Sequence, residues 1–379
     1  MDYPCILKFP IYKAINNACL KDFKMKENLY LLAGSYASGM DNGIHLFRFN
    51  QYTGESETVG KVEVDNPSYL VLSKNGEYVY AVLENEETPS YVNAFSYDKD
   101  KEKLTQIDRI VSGDEGSCYI SVDKDDEHIL TANYGGGSIS VFDIDTNGQL
   151  YKMSQLIVFE GKSVDPKRQT KSHIHCVEFS PDGKYVFATD LGTDKIYQME
   201  IDYDCKECKK DFVINETVDT IKVPDGSGPR HIVFHTNEKY LYLINELSDT
   251  VIVFSYNNGK VSQLQEIQAV TNNASGAADI VISPDGRYLY ASIRHKDDGI
   301  AIFSINTSDG KLQKINYQLT GAHPRNLRIT PNGNYLLAAC KDDSCIEVYK
   351  IDKNTGLLKK TQNDISIVEP ACIRFICKL

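Results

Sequence analysis

One short pattern recurs along this chain: an apolar run, a polar turn, an aromatic residue and a second apolar run. It reads PSYLVLSKNGEYVYAVLE at 67–84, CYISVDKDDEHILTANY at 118–134, HCVEFSPDGKYVFATDL at 175–191, RHIVFHTNEKYLYLINE at 230–246, ADIVISPDGRYLYASIR at 278–294 and RNLRITPNGNYLLAACK at 325–341. The runs are short, rich in β-branched and aromatic residues, and bounded by turn formers, which predicts a β-hairpin in each case. The aromatic after the turn falls at Tyr78, His128, Tyr185, Tyr240, Tyr288 and Tyr335, at intervals of 47 to 57 residues. A third strand follows each hairpin, as in SISVFDID or GIAIFSIN. A weaker fourth follows a G-x-L turn such as Gly148-Gln149-Leu150 or Gly310-Lys311-Leu312.

Four antiparallel strands at a period near 50 predict an all-β fold, the β-propeller. First strands begin near residues 67, 117, 174, 229, 277, 324 and 370, which makes seven blades. The last, Pro370 to Phe375, has no second strand after it, and the run LYLLAGSY from Leu29 reads as a second strand with no first. N- and C-terminal strands are therefore expected to share one blade and close the ring. Residues 28–379 then form a single domain behind an N-terminal extension of residues 1–27. The insertions at 159–172 and 202–219 are expected to be loops.

A net charge of −12 argues against bulk electrostatic binding to nucleic acid or to anionic membranes. Any local gathering of Arg and His stands out against it. Trp is absent, which sets aside propellers built on Trp docking. The ten cysteines are scattered, and the one C-x-x-C, Cys205 with Cys208, lacks the second pair of a zinc ribbon and reads as a surface loop. Cys118, Cys176, Cys340 and Cys372 lie in strand-like runs and are expected to be small buried groups. Free thiols suit a reducing compartment. The first residues carry no signal-peptide pattern, and no run reaches the ~18 apolar residues of a membrane span, so a cytoplasmic protein is expected. Tyr134-Gly135-Gly136-Gly137-Ser138 lacks the Lys-Ser/Thr ending and following helix of a phosphate loop. Zinc-protease, EF-hand and nucleophile-elbow motifs are also missing, so no metal, cofactor or covalent serine is expected. None of these patterns speaks to oligomeric state.

In a propeller the first strand of each blade lines the central channel. Its start and the end of the second strand open on one face. Register therefore predicts a ring at one channel mouth. Entering the first strands are Ser68, Cys118, His175, Arg230, Ala278 and Arg325; two residues earlier stand Asn66, Gly116, His173, Gly228, Gly276 and His323. Leaving the second strands are Glu84, Tyr134, Leu191, Glu246, Arg294 and Lys341, with Asn133, Asp190 and Asn245 just before three of them. The planar fork of arginine matches carboxylate or phosphate oxygens. A small anionic ligand is expected here, bound by Arg294, Arg325, His173, His323, Asn133, Tyr134 and Asn245. The plainer reading is that each Arg ties one blade to the next through an acid. The SPDG and TPNG turns lie at the opposite face and carry backbone geometry alone.

The motifs G-S-G-P-R-H (226–231) with N-E-L (245–247), S-H-I-H-C (172–176) with D-L-G (190–192), A-N-Y-G-G-G-S (132–138) and A-H-P-R-N (322–326) resemble the seven-bladed lactonase propellers. Bacterial 6-phosphogluconolactonases of the propeller type and carboxymuconate cyclases are members. The resemblance covers nearly all of the chain from about residue 29. It implies a His, a Glu and two Arg acting on an anionic lactone. By motif these are His175, Glu246 and Arg230, with the second Arg matched by Arg294 or Arg325. It further implies hydrolysis of a sugar lactone without a cofactor, with Glu246 or His175 activating water and the arginines stabilising the oxyanion. Two other classes stay open: a lactonase or cycloisomerase for a carboxylated lactone, and a non-catalytic scaffold binding through loops 159–172 or 202–219.

Overall fold

The computed structural model describes residues 27–85, 89–205, 210–271 and 274–376. Seven antiparallel sheets follow in chain order around a central channel. Blade 1 runs Pro67–Leu72, Tyr78–Leu83, Pro89–Asp98, Lys103–Glu115. Blade 2 runs Ser117–Val122, His128–Asn133, Ser138–Ile144, Leu150–Val158. Blade 3 runs Ile174–Phe179, Tyr185–Asp190, Lys195–Cys205, Lys210–Lys222. Blade 4 runs Pro229–Phe234, Tyr240–Asn245, Thr250–Asn257, Lys260–Gln268. Blade 5 runs Ala277–Ile282, Tyr288–Ile293, Gly299–Ile305, Leu312–Leu319. Blade 6 runs Pro324–Ile329, Tyr335–Cys340, Cys345–Ile351, its outer strand split into Leu358–Lys360 and Ile365–Ser366.

Blade 7 takes its first strand, Pro370–Ile376, from the C-terminal end and its other three, Asn28–Ser35, Ile44–Asn50 and Ser56–Val62, from the N-terminal end. Ala33 pairs with Ile373 and Leu31 with Phe375. The ring is thus closed by strand pairing between distant parts of the chain, as the split repeat predicts. No helix among the described residues is long and apolar enough to cross a membrane.

Two signals that look separate in the sequence are halves of one contact. The tyrosine after a hairpin turn packs on the glycine of the turn between the third and fourth strands of the next blade. A Cβ at Gly310 would lie 2.5 Å from Tyr240, one at Gly259 2.5 Å from Tyr185 and one at Gly54 2.8 Å from Tyr335. Each of these glycines has a positive φ, so both space and conformation require glycine. His128 stacks on Phe212, ring centroids 3.9 Å apart.

Phe212 belongs to a segment expected to be a loop. The 202–219 insertion is instead an extension of the outer hairpin of blade 3, with Ile201 opposite Ile214 and Tyr203 opposite Phe212. Its alternation buries Phe212 and Ile214 against the core, which favours strand over loop. Cys205 ends a strand, and Cys208, like residues 1–26 of the expected extension, lies outside the described residues. Cys118, Cys176, Cys340 and Cys372 are buried as expected.

Candidate active site

In each of blades 1 to 6 the pairing of first and second strands slips near the start of the first strand. Such a bulge leaves a residue unpaired and re-aims its side chain. Ser68, Cys118, His175, Arg230, Ala278 and Arg325 occupy these slips. Just before them, the carbonyls of Asn66, Gly116, His173, Gly228, Gly276 and His323 accept the N–H of Glu84, Tyr134, Leu191, Glu246, Arg294 and Lys341. In blade 7 Glu369 does the same for Tyr36. Every blade therefore sets the residue after its second strand against its own bulge residue.

Blade 4 shows what this demands of the sequence. Gly228 has φ +66°, and a Cβ there would lie 2.5 Å from Leu247 Cγ. Asp194 of the neighbouring blade clamps the approach, its carboxylate accepting the N–H of Gly226 and of Gly228, both at 2.7 Å. The result is Arg230 Nε donating to Glu246 Oε2 at 2.8 Å, with both side chains buried.

Glu246 is the hub of the mouth. Besides Arg230, it meets Arg294 Nη2 at 3.1 Å and Arg168 Nη2 at 2.6 Å. Burial alone would raise its carboxyl; the charges of Arg294, Arg230 and Arg168 outweigh that and hold it well below the ordinary carboxylate range. Burial lowers Arg294 to about 9, so it stays a cation at neutral pH. Arg230 also donates to Ala278 O at 2.5 Å and faces His231 Nε2 at 3.2 Å. His231 Nδ1 is 2.9 Å from Asp279 Oδ1, and the other Asp279 oxygen accepts Asn326 Nδ2 and Leu327 N. Nδ1–H donating to Asp279 leaves Nε2 as the acceptor for Arg230.

A second group lies beside it. Arg325 Nη2 donates to the Tyr36 hydroxyl at 2.5 Å and lies 3.6 Å from Glu84, to which that hydroxyl also donates. His175 sits between the groups, edge-on to Tyr134 and to His231. Burial, then the charge of Arg230, holds its imidazole well below the ordinary range, so it is neutral at pH 7. A cavity of about 10 Å³, room for about one water, is bordered by His175, Arg230, Arg325, Cys118 and Ser68. Tyr69 also borders it, its ring tilted 31° against that of Tyr119 with centroids 4.1 Å apart.

Of the residues expected at the site, His175, Arg230, Glu246, Arg294 and Arg325 are brought together. Tyr134 and His173 stack at 4.4 Å on its rim, and His323 Nε2 lies 3.3 Å from Arg294 Nη1. Asn133 and Asn245 are not brought to it. Both are fully buried; Asn133 is spent on Ser117, Ser138 and Ser140, while Asn245 donates Nδ2 to Thr250 and keeps a buried Oδ1 with no partner among the described residues. As the last residues of their strands they turn into the blade rather than toward the mouth.

Sequence reading missed Arg168 and Tyr36. Arg168 comes from the 159–172 loop, which folds over the mouth. Asp165 accepts the N–H of Lys167 and Arg168 in a tight turn, and buried Gln169 anchors the loop to Leu191 O at 2.9 Å. The turn is legible in Asp165-Pro166; its direction is not. Tyr36 was legible in principle, as the blade 7 counterpart of Glu246 in the repeat.

Four arginines (168, 230, 294, 325) face two carboxylates (Glu246, Glu84), leaving two positive charges uncompensated beside the neutral imidazole of His175. Such a composition suits an anion and a water awaiting deprotonation, the two requirements of lactone hydrolysis. The chain belongs to the seven-bladed β-propeller lactonase family, whose model matches residues 30–375. It is 37% identical, over 86% of its length and 93% of the relative's, to a 6-phosphogluconolactonase of Formosa agariphila. It is 32% identical to that of Bacillus subtilis, over 90% of its length and 97% of the relative's. A Bacteroides fragilis crystal structure provisionally named a 6-phosphogluconolactonase superposes with a TM-score of 0.88 at 45% identity, covering 92% of this chain and 98% of that one. The periplasmic gluconolactonase PpgL of Pseudomonas aeruginosa superposes at 0.85 with 27% identity, over 93% and 100%.

Proposed function

We propose that this chain hydrolyses 6-phosphoglucono-δ-lactone to 6-phosphogluconate, a step of the pentose phosphate pathway. The observation that carries it is the pair of uncompensated positive charges around Glu246, which suits a phosphate dianion. The names of the two bacterial relatives support it. Such a substrate, with the free thiols of the core, supports a cytoplasmic location.

His175 is the general base in this reading. It is neutral at working pH and borders the water-sized cavity. Glu246 is held by three guanidinium groups and is a poor proton acceptor. Water gives a proton to His175 as its oxygen adds to the lactone carbonyl carbon. The oxyanion forms against Arg230 and Arg325, which border the same cavity. Collapse breaks the bond to the ring oxygen, and the proton on His175 passes to that leaving oxygen. Arg168, the most exposed of the cluster, holds the phosphate with Arg294.

The test is the rate of loss of freshly generated 6-phosphoglucono-δ-lactone, beside unphosphorylated gluconolactone, for the native protein and Arg230→Ala. Rapid loss of the phosphorylated lactone, abolished in the variant, is expected. Faster turnover of the unphosphorylated lactone would overturn the phosphate assignment, and no acceleration of either would overturn the activity.

A further inference from the structure

A second reactive cluster lies in blade 6, apart from the residues assigned to the lactone. Cys340 ends the second strand, Cys345 begins the third, and the two are direct cross-strand partners. Directly opposed residues project to the same face of an antiparallel pair, with Cα atoms ~4.5–5.5 Å apart. That lies inside the ~4.4–6.8 Å window a disulfide needs. Both thiols and a Glu347 oxygen lie within 4.8 Å of one another. Cys340 is fully buried and Cys345 half-buried, so one sulfur is open to a reagent while the other waits beneath it.

We infer that Cys340 and Cys345 are a redox modification site, a cross-strand dithiol that closes reversibly to a disulfide.

The same trio has the atoms of a metal site, but the place of the cation is taken. Lys360 bonds one Glu347 oxygen, while the Tyr349 hydroxyl at 2.5 Å and Gly321 N at 3.0 Å bond the other. Both oxygens of the acid have donors, and the Cys340 thiol bonds Cys345 as well as Glu347. Cys340, as a donor, lowers the Cys345 thiol, which favours the half-buried sulfur as the attacking thiolate.

The partner reagent is a low-molecular-weight organic disulfide. Cys345 thiolate attacks one of its sulfurs and expels the other half as a thiolate. Cys340, giving up its proton, then attacks Cys345 Sγ and expels the second half. Two protein thiols are oxidised, the reagent is reduced to two thiols, and the two protons end on those thiols. The pair lies under the segment that carries His323. A Cβ at Gly321 would lie 3.3 Å from Cys340 Cβ, and the next residue, Lys341, donates its N–H to His323 O at 3.0 Å. The inference does not rest on the substrate assignment.

The test is peptide mapping of the full native chain after oxidised glutathione, with alkylation of remaining thiols. Trypsin cuts after Lys341, so the disulfide joins the peptides 329–341 and 342–350. The joined pair is expected to form, to vanish with dithiothreitol, and to be absent in Cys345→Ser. In that variant Cys340 should stay alkylable on unfolding. Glutathione held on Cys345 with Cys340 free would overturn the inference, as would no reaction at either thiol. So would zinc that co-purifies with the chain and blocks both thiols until a chelator removes it.

Discussion

Arg168 reaches Glu246 across 78 residues of chain, Nη2 to Oε1 at 2.6 Å, although one lies in a loop and the other follows a strand. The loop thereby adds a third cation to a carboxylate that already holds Arg230 and Arg294. Arg168 is also the member with most solvent access, its side chain 40% exposed. It is the one placed to let go of Glu246 in favour of an incoming anion.

Arg168→Ala should raise KM for the phosphorylated lactone about tenfold, the worth of one charge-assisted hydrogen bond of ~1.5 kcal/mol, with a smaller effect on kcat. The unphosphorylated lactone should be little affected. Steady-state kinetics on both substrates check this; equal losses on both would remove Arg168 from phosphate binding.

His175→Asn should lower kcat by about 10² to 10⁴, the usual worth of a general base. The native acid limb of kcat/KM should fall below pH 6.5, because the imidazole is held below its ordinary value and works only when neutral. A native limb above that value would assign the base elsewhere.

Glu246→Gln separates holder from base. Losing the charge leaves buried arginines uncompensated, a cost of about 3 kcal/mol by the behaviour of broken buried pairs. Thermal unfolding should shift downward, while the residual activity should keep an acid limb, moved to lower pH because the Glu246 charge that raises His175 is gone. Loss of that limb in the variant, with stability intact, would make Glu246 the base.

Asp279→Asn removes the acceptor that sets the His231 tautomer. Nε2 can then carry the proton and face Arg230 as a donor, which turns the 3.2 Å contact repulsive. A fall in kcat of about tenfold is expected, from one misdirected charge-assisted hydrogen bond. Circular dichroism and Tm, compared with kcat, separate this from a loss of fold.

Acid should weaken the fold early. His175, His231 and His323 are all lowered by burial, His231 to about 4 and His323 to about 3. An unfolded chain takes up these protons near pH 6.5, whereas the native state refuses them until much lower pH. Stability is therefore greatest above pH 6.5 and declines as pH falls toward 4, the sign for groups neutral in the native state. Tm measured from pH 7.5 to 4.5 should fall steadily; a flat profile would mean that the native histidines titrate freely.

The architecture was legible because its signals are local and repeated. First strands begin at 67, 117, 174, 229, 277, 324 and 370, the positions read from the repeat, since alternation and turn residues act within a few positions of one another. Arg230 beside Glu246 was legible for the same reason: a hairpin brings its own two ends together. The 202–219 insertion was misjudged because its alternation is interrupted by charged residues, and burial against blade 2 decides it. Asn133 and Asn245 were misplaced because the period of two, near a bulge, leaves the facing of a strand's last residue undetermined. What the chain determined by itself was the seven-fold repeat, its closure and the ring of positions at the mouth. Tertiary structure alone decided that Glu246 has three cations, that Arg168 is one of them, and that His175 stays neutral. Each of these depends on burial and on charges from other blades, which no window of sequence contains.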